Sequence, residues 1–230
     1  MRRTLTILSL LLTALLLAVV VRCLFVTQYR VTDTDGDALR AGDRVLVNRM
    51  AYGWRVPGER WWGYCRVGSG QPARGEYVAF YDPSLYGPAD RRPVRVGRVV
   101  AVPGDTLWLD ARRRALLPGR TTSDARPIPV PATGSRIGVT PWNARLLWNT
   151  LRRHEGIHVV LVSDTALRFD SHRLDSVGFQ QDYYWLSGSL GYGLVPASAL
   201  VGRAFCVSYS LDDSLRVGRR FRADRFFLPL

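Results

Sequence analysis

The residues best suited to chemistry lie in one short stretch, residues 32–37, which reads Thr-Asp-Thr-Asp-Gly-Asp. Thr34 offers a hydroxyl, but a hydroxyl is a poor nucleophile until a neighbouring base takes its proton. The carboxylates of Asp33, Asp35 and Asp37 would be weak bases, because an exposed carboxylate has a pKa of about 4. The composition of this stretch therefore favours a solvated turn over a catalytic centre.

No metal or other cofactor is expected. The acids of residues 32–37 are similar to part of a calcium loop, but such a loop needs a distal Glu that this chain does not supply. The cysteines and histidines lack the spacing of metal ligands. Pairing of Cys65 with Cys206 in an oxidising compartment stays open. The residues considered are Cys23, Cys65, Cys206, His154, His158 and His172.

The chain is strongly basic, with a formal net charge of +13, and it contains no lysine: all 32 Lys+Arg residues are arginines. High positive charge is typical of nucleic-acid binding. Here the arginines are spread along the chain, which argues for a compositional preference for arginine and against a nucleic-acid partner. Attraction to anionic lipid headgroups is the more natural use of a basic domain beside a membrane.

The N-terminal segment is predicted to anchor the chain in a membrane. Residues 4–21 carry no charge, and with residues 22–26 they reach the roughly 20 apolar residues that a spanning helix needs. Arg2 and Arg3 precede the run, so the positive-inside rule keeps the N-terminus in the cytoplasm. The residues that follow lack a small-x-small cleavage pattern, which argues against a removed signal peptide. The predicted organisation is a cytoplasmic N-terminus (1–3), a transmembrane anchor (4–26) and an extracytoplasmic domain (27–230).

The extracytoplasmic domain is predicted to be mainly β. Many short alternating segments, long loops and little helix favour an antiparallel β-sandwich or barrel. The one helix expected in this domain covers residues 143–153, where Leu146, Leu147 and Leu151 share a face. Residues 103–105 are expected to form a turn joining two paired strands. The predicted strands are residues 43–48, 76–81, 94–102, 106–109, 159–162, 165–169, 183–186 and 204–210, and the predicted long loops are residues 53–75 and 118–131.

Five stretches, in this order, resemble the bacterial type I signal peptidases. Singly they are weak, but their shared order, spacing and membrane topology are hard to obtain by chance. Residues 128–175 also look like the inserted region of Bacteroidetes members of that family. The five stretches are the anchor with residues 29–31 and 39–48, residues 52–57, residues 75–80, residues 97–105 (Gly-Arg-Val-Val-Ala-Val-Pro-Gly-Asp), and residues 182–185 with 193–196 and 200–204.

This resemblance implies a signal peptidase-like β domain that cleaves signal peptides of exported proteins outside the membrane. The family uses a serine nucleophile and a lysine base, and a lysine acts as a base only if burial lowers its pKa towards neutrality. The implied location is a bacterial inner membrane, crossed once, with the main domain in the periplasm. Membrane lipid, signal peptides and an active signal peptidase are the implied partners.

The catalytic residues of the family are missing at the matching positions. Counting back from residues 42–43 puts the serine position at Thr34, and counting forward from Tyr29 puts it at Asp35. There is no serine between Ser9 and Ser69. The lysine position falls on Gly97, and arginine cannot replace the base because it does not deprotonate in proteins. The C-terminal box is also shortened, between residues 187–189 and 191–193.

The sequence therefore predicts a catalytically inactive homologue that binds without cutting. An extended peptide would add to the sheet by main-chain pairing, with pockets for small side chains. Two alternatives stay open: an active peptidase with atypical residues or one completed in trans by a partner's lysine, and a structural binding module of an envelope complex. The residues expected to line the peptide groove are Asp35, Gly36, Arg98, Val99 and Val100.

Overall fold

The structure is a computed structural model that describes most of the 230 residues. For some residues within helices and strands it describes the backbone alone, namely residues 2, 5, 21–24, 60, 62, 115 and 116. The described residues are 2–32, 34, 38–56, 59–85, 91–110, 115–117, 119, 124–188, 193–212 and 220–230.

Short strands make up most of the regular structure. The helices are α1 (Arg2–Leu24), α2 (Glu59–Trp62) and α3 (Ala144–Thr150), with a π-helical turn at Leu151–Glu155 and 3₁₀ turns at Ala197–Ala199 and Ala223–Arg225. The strands are β1 (Val26–Arg30), β2 (Asp43–Asn48), β3 (Trp54–Arg55), β4 (Arg66–Val67), β5 (Tyr77–Tyr81), β6 (Val94–Ala101), β7 (Thr106–Asp110), β8 (Ala115–Leu117), β9 (Arg126–Pro129), β10 (Arg136–Gly138), β11 (Val160–Val162), β12 (Ala166–Phe169), β13 (His172–Leu174), β14 (Ser176–Gly178), β15 (Tyr183–Ser187), β16 (Leu194–Pro196), β17 (Leu200–Ser210) and β18 (Leu228–Pro229).

One eight-stranded antiparallel sheet organises the chain. Its order is β1-β2-β17-β5-β6-β15-β16, with β18 paired to β17. The mainly β, antiparallel prediction is confirmed, and within the described residues the sheet stays open and does not close into a barrel. The long strand β17 pairs with β5 through its first half and with β2 through its second half. Where β17 passes the end of β2, a Cβ on Gly202 would lie 2.2 Å from the carbonyl oxygen of Asn48, so the close approach of the two strands requires glycine.

The two faces of the main sheet are covered by different hydrophobic clusters. Strand β2 alternates buried and half-buried residues, as its sequence predicts, and sends Val45 and Val47 into the first cluster. The first cluster also contains Val31, Leu39, Ala79, Val96, Val201, Ala204 and Val207. The second cluster contains Tyr52, Val78, Phe80, Val99, Tyr184, Leu186, Val195, Ala199 and Leu200. Successive residues of β5 enter alternate clusters, which fixes the register of this strand.

The predicted inserted region, residues 128–175, packs in a third cluster together with neighbouring strands. The third cluster contains Ala101, Leu107, Val130, Ile137, Leu147, Leu151, Val159, Leu167, Val177, Phe179, Tyr183 and Leu194. Helix α3 buries Ala144 and Leu147, and the π-helical turn continues it and buries Leu151. The helix expected over residues 143–153 is therefore confirmed, although its last turn is π-helical. Three strands, β11, β12 and β13, form a small antiparallel sheet against this helix.

Three expectations for the β domain are corrected by the structure. The turn at residues 103–105 is present, but β6 pairs with β5 and β15 whereas β7 pairs with β8 and β9, so the turn changes sheets. The predicted loop over residues 118–131 contains β9, in which Ile128 is buried and pairs with Leu107 of β7. The predicted loop over residues 53–75 contains β3, α2 and β4. Cys65 and Cys206, whose pairing was open, are both free.

Helix α1 confirms helical structure for nearly all of residues 4–26. Its described leucine side chains are more than 60% exposed, as Leu12 is at 67%. Counting only the residues that the structure describes, no helix is both long enough and apolar enough to cross a membrane. The membrane-spanning role of residues 4–26 stays a prediction.

Candidate functional site

The loop that carries Thr34 is closed at its base by backbone hydrogen bonds. The amide of Val31 donates to the carbonyl of Asp43 at 2.8 Å, and the amide of Gly42 donates to the carbonyl of Val31 at 2.9 Å. Gly42 has a φ of +93°, and a Cβ there would meet the carbonyl oxygen of Leu211 at 1.9 Å. Only glycine fits this position, directly before β2 begins at Asp43.

Asp43 ties the end of this loop to the C-terminal segment. Its carboxylate, fully buried, accepts hydrogen bonds from Arg225 Nε at 3.0 Å and Nη2 at 2.6 Å, and from the amide of Arg40 at 2.8 Å. Burial alone would raise the pKa of Asp43, but hydrogen bonds from Arg225, Arg40 and Ser210 and the charge of Arg225 outweigh it and hold the pKa below its usual value. Arg225 also donates to the carbonyl of Ala38 at 2.6 Å, so one guanidinium holds two points of the loop.

Thr34, the position matched to the family serine, is exposed. Its hydroxyl oxygen accepts a hydrogen bond from the amide of Ala41 at 3.3 Å, across the loop. Within the described part of the chain, no side chain accepts the proton of this hydroxyl. Asp35 and Gly36, the other candidates in this loop, lie outside the described residues, and so do residues 189–192 of the shortened C-terminal box.

Gly97, the position matched to the family lysine, is buried in the middle of β6 opposite Val78. Side chains alternate along a strand, so Gly97 shares the face of Val99, which belongs to the second cluster, whereas Val96 belongs to the first. Arg98 is exposed, and its Nε donates to the carbonyl of Gly75 at 3.3 Å. Val99 is buried, and Val100 packs against the third cluster.

The loop and β6 border a common cluster. Val31 and Leu39, which flank the loop, pack in the first cluster together with Val96, the residue before Gly97. The first cluster therefore links the residues that flank the loop to β6, while Gly97 itself lies on the opposite face of that strand. The chemistry offered by the described residues is limited to one exposed hydroxyl and a guanidinium that cannot act as a base.

A second candidate site, which was not predicted from the sequence, lies between two of the stretches that resemble signal peptidases. A cavity of about 220 Å³ lies between Tyr52, Arg66, Asp182 and Tyr184. Arg66 donates through Nη1 to the carbonyl of Tyr52 at 3.2 Å and through Nη2 to that of Leu200, while its Nε has no described partner. The signal was present in the motifs at residues 52–57 and 182–185, but nothing in the sequence brings them together.

Burial sets the electrostatics of this cavity. Burial and the neighbouring carboxylate of Glu76 raise the pKa of Tyr52, whose hydroxyl donates to Glu76 Oε2 at 3.0 Å. Burial, with the charge of Asp182, raises the pKa of Tyr184 to about 12. Burial lowers the pKa of Arg66 from its usual value, although the group stays a cation in water near neutral pH. The cavity therefore offers neutral hydroxyls, the guanidinium of Arg66 and the carboxylate of Asp182.

The comparison with protein families agrees with the motifs. The family model described as "Signal peptidase, peptidase S26" matches residues 4–116, a little under half of the chain. This segment includes α1, the loop of Thr34 and β6 with Gly97. Over this segment the chain is similar to the signal peptidase family. No curated protein matches the chain.

Proposed function

We propose that this chain is a catalytically inactive member of the signal peptidase family that binds exported proteins or an active signal peptidase. The observation that carries the proposal is chemical: the family segment contains no serine after Ser9 until Ser69, and the whole chain contains no lysine. A hydroxyl without a base is a poor nucleophile, and arginine cannot serve as that base. The exposed hydroxyl of Thr34, which accepts a hydrogen bond from the backbone, supports the same reading.

The scaffold around the candidate positions supports a binding role. Gly42, Asp43 and Arg225 hold the loop of Thr34, and β6 is central in the main sheet between β5 and β15. The buried ion pair and the position that only glycine fits hold this loop against the sheet. Strand β6 is paired on both sides, so an extended peptide beside the loop would contact β6 through side-chain pockets and would need another strand edge for main-chain pairing.

Purified chain in detergent micelles is expected to bind, but not cleave, a preprotein with an Ala-x-Ala site. Cleavage is measured by mass spectrometry of the products, and binding by co-elution. Thr34→Ala is expected to leave both readings unchanged. Cleavage that disappears in Thr34→Ala would overturn the proposal. Cleavage that appears only when a signal peptidase, itself inhibited, is added to the chain would point to completion in trans.

Membrane attachment through residues 4–26 is part of this proposal and rests on their apolar sequence and on the exposed leucines of α1. We expect alkaline carbonate to leave the chain in the membrane pellet. Leu12→Arg is expected to lower the inserted fraction, because an arginine near the centre of a spanning helix costs about 2.5–3.5 kcal/mol on translocon scales. Leu12→Ile is the matched control. Release of the unchanged chain by carbonate would contradict the anchor.

A further inference from the structure

A large cleft lies in the predicted inserted region, beyond the segment that matches the signal peptidase family. It encloses about 800 Å³ between helix α3 and strand β11. Its size falls in the range of small-ligand and peptide pockets, roughly 300–1,000 Å³. The wall contains Arg145, Trp148, Arg152, His158 and Val160, a set that combines cations with apolar surface.

The cations of this cleft are placed by the helix. Arg145 and Trp148 stand at i and i+3 on α3, so they share one face. Arg152 follows in the π-helical turn and also lines the cleft. The indole of Trp148 donates to the carbonyl of Val159 at 3.0 Å, which fixes the ring between the helix and β11. The guanidinium of Arg152 lies over that ring, 5.4 Å from its centroid. Stacking of this kind preorganises the guanidinium while its N–H groups stay available to an acceptor.

The cleft already holds one carboxylate. Arg145 Nη2 donates to Asp164 Oδ2 at 2.9 Å, at the tip of the hairpin between β11 and β12. Arg152, by contrast, forms no ion pair with any described residue. One arginine therefore shows how a carboxylate is bound at this wall, and the second offers the same chemistry to a ligand.

The opposite wall is the edge of a sheet. Strand β11 pairs only with β12 among the described strands, and Val160 on it is 63% exposed. An unpaired strand edge is a template for the main chain of an extended peptide. Because the rise along a strand is about 3.4 Å per residue, alternate side chains of such a peptide would face the arginines every 7 Å or so.

We propose that this cleft is a docking site for an extended acidic peptide, bound along β11 with its carboxylates on Arg152 and near His158. We expect the partner to be acidic because the wall carries two arginines and one aspartate, and the chain has a net charge of +13. The commitment to a peptide rests on the exposed strand edge. This surface is separate from the candidate site at Thr34 and Gly97, so it stands whether or not the proposed function does.

The test is fluorescence polarisation of a labelled peptide of alternating Glu and Val with the full chain in zwitterionic micelles. We expect the Glu peptide to bind and its Gln and Lys counterparts to bind at least about tenfold more weakly. Arg152→Gln is expected to weaken binding by about two- to fivefold, in line with exposed ion pairs. Val160→Glu adds a repelling charge on an exposed side chain and should weaken binding further. Arg173→Gln, an exposed arginine on β13 outside the cleft, should change nothing.

Hydrogen exchange supplies a second reading. Binding of the Glu peptide is expected to slow exchange in β11 but not in β13. Equal binding of the Glu and Gln peptides, equal effects of Arg152→Gln and Arg173→Gln, or unchanged exchange in β11 would each overturn the proposal. Binding of anionic vesicles that depends on Arg152 without any peptide binding would assign the cleft to lipid instead and overturn it too.

Discussion

Arg225→Ala is expected to lower the free energy of unfolding by about 3–5 kcal/mol, the usual cost of removing one partner of a buried ion pair. The side chains of Arg225 and Asp43 are 4% and 0% exposed, and two hydrogen bonds join them. Without Arg225, the carboxylate of Asp43 is left buried with its main counter-charge gone. Urea unfolding of the full chain in micelles, followed by circular dichroism, measures the loss as a shift in midpoint at constant slope.

The matched control is Arg145→Ala, since the Arg145–Asp164 pair is 69% and 61% exposed. An exposed pair contributes about 0–1 kcal/mol, so this variant should unfold close to the starting protein. Asp43→Asn combined with Arg225→Met should recover part of the loss, because it removes both charges together. Equal small shifts for Arg225→Ala and Arg145→Ala would show that the buried pair does not hold the fold.

The stability of the domain is expected to fall by up to about 3 kcal/mol between pH 6.5 and pH 4, because of His154. Burial, with the charges of Arg92 and Arg153, lowers the pKa of His154 from 6.5 to about 4. Below pH 6.5 the unfolded chain binds a proton at His154 that the folded chain does not bind. Proton binding therefore stabilises the unfolded state relative to the folded state. The contribution is complete above pH 6.5 and is lost as the pH falls towards 4.

His154→Phe is the variant that isolates this effect. The ring of His154 packs near Tyr183, with centroids 6.1 Å apart, and phenylalanine keeps an aromatic ring there without a titrating group. Urea midpoints of the variant should change less than those of the starting protein between pH 6.5 and pH 4. His172→Gln, in the exposed hairpin of β12 and β13, is the control and should follow the starting protein. Parallel pH profiles for the starting protein and His154→Phe would refute the assignment.

Much of the local structure could be predicted because the apolar pattern sets it. Strand β2 has the predicted bounds, and β5, β6, β15 and the later part of β17 lie within a few residues of theirs. In β2 alternate residues are buried, so period-two alternation is visible in its sequence. Strand β5 buries three consecutive residues, because both faces of the sheet are covered, and its continuous apolar run marks it as a strand. Helix α3 was predictable for the same reason, since Leu147 and Leu151 are buried on one side of it.

Pairing between distant segments could not be predicted in this way. The turn at residues 103–105 looks like a hairpin, yet β6 and β7 join different sheets because the sequence of a turn does not specify the partners of its flanking strands. Strand β9, with prolines at residues 127 and 129, reads as a loop because proline cannot donate to a ladder. Asp43 and Arg225 are 182 residues apart in the sequence, and no local sequence pattern predicts their ion pair.

Only those parts of the candidate site that carry recognisable motifs could be predicted from the sequence. The loop of Thr34 and strand β6 were identified from the Gly-Asp and Pro-Gly-Asp motifs, and residues from both pack in the first cluster. The face on which Gly97 lies and the cavity beside Arg66 depend on three-dimensional register. The assignment of Thr34 and Gly97 to the family's serine and lysine positions stays a prediction.

The place of β17 in the main sheet sets the order in which the domain can be assembled during synthesis. This strand, residues 200–210, lies between β2 and β5, which precede it by more than a hundred residues. A chain that emerges from its N-terminus presents β2 and β5 without the strand that separates them. The main sheet cannot be completed until nearly the whole polypeptide has been made, and such long-range pairing is slow. A nascent chain therefore exposes unpaired edges to chaperones for most of the time it takes to be made.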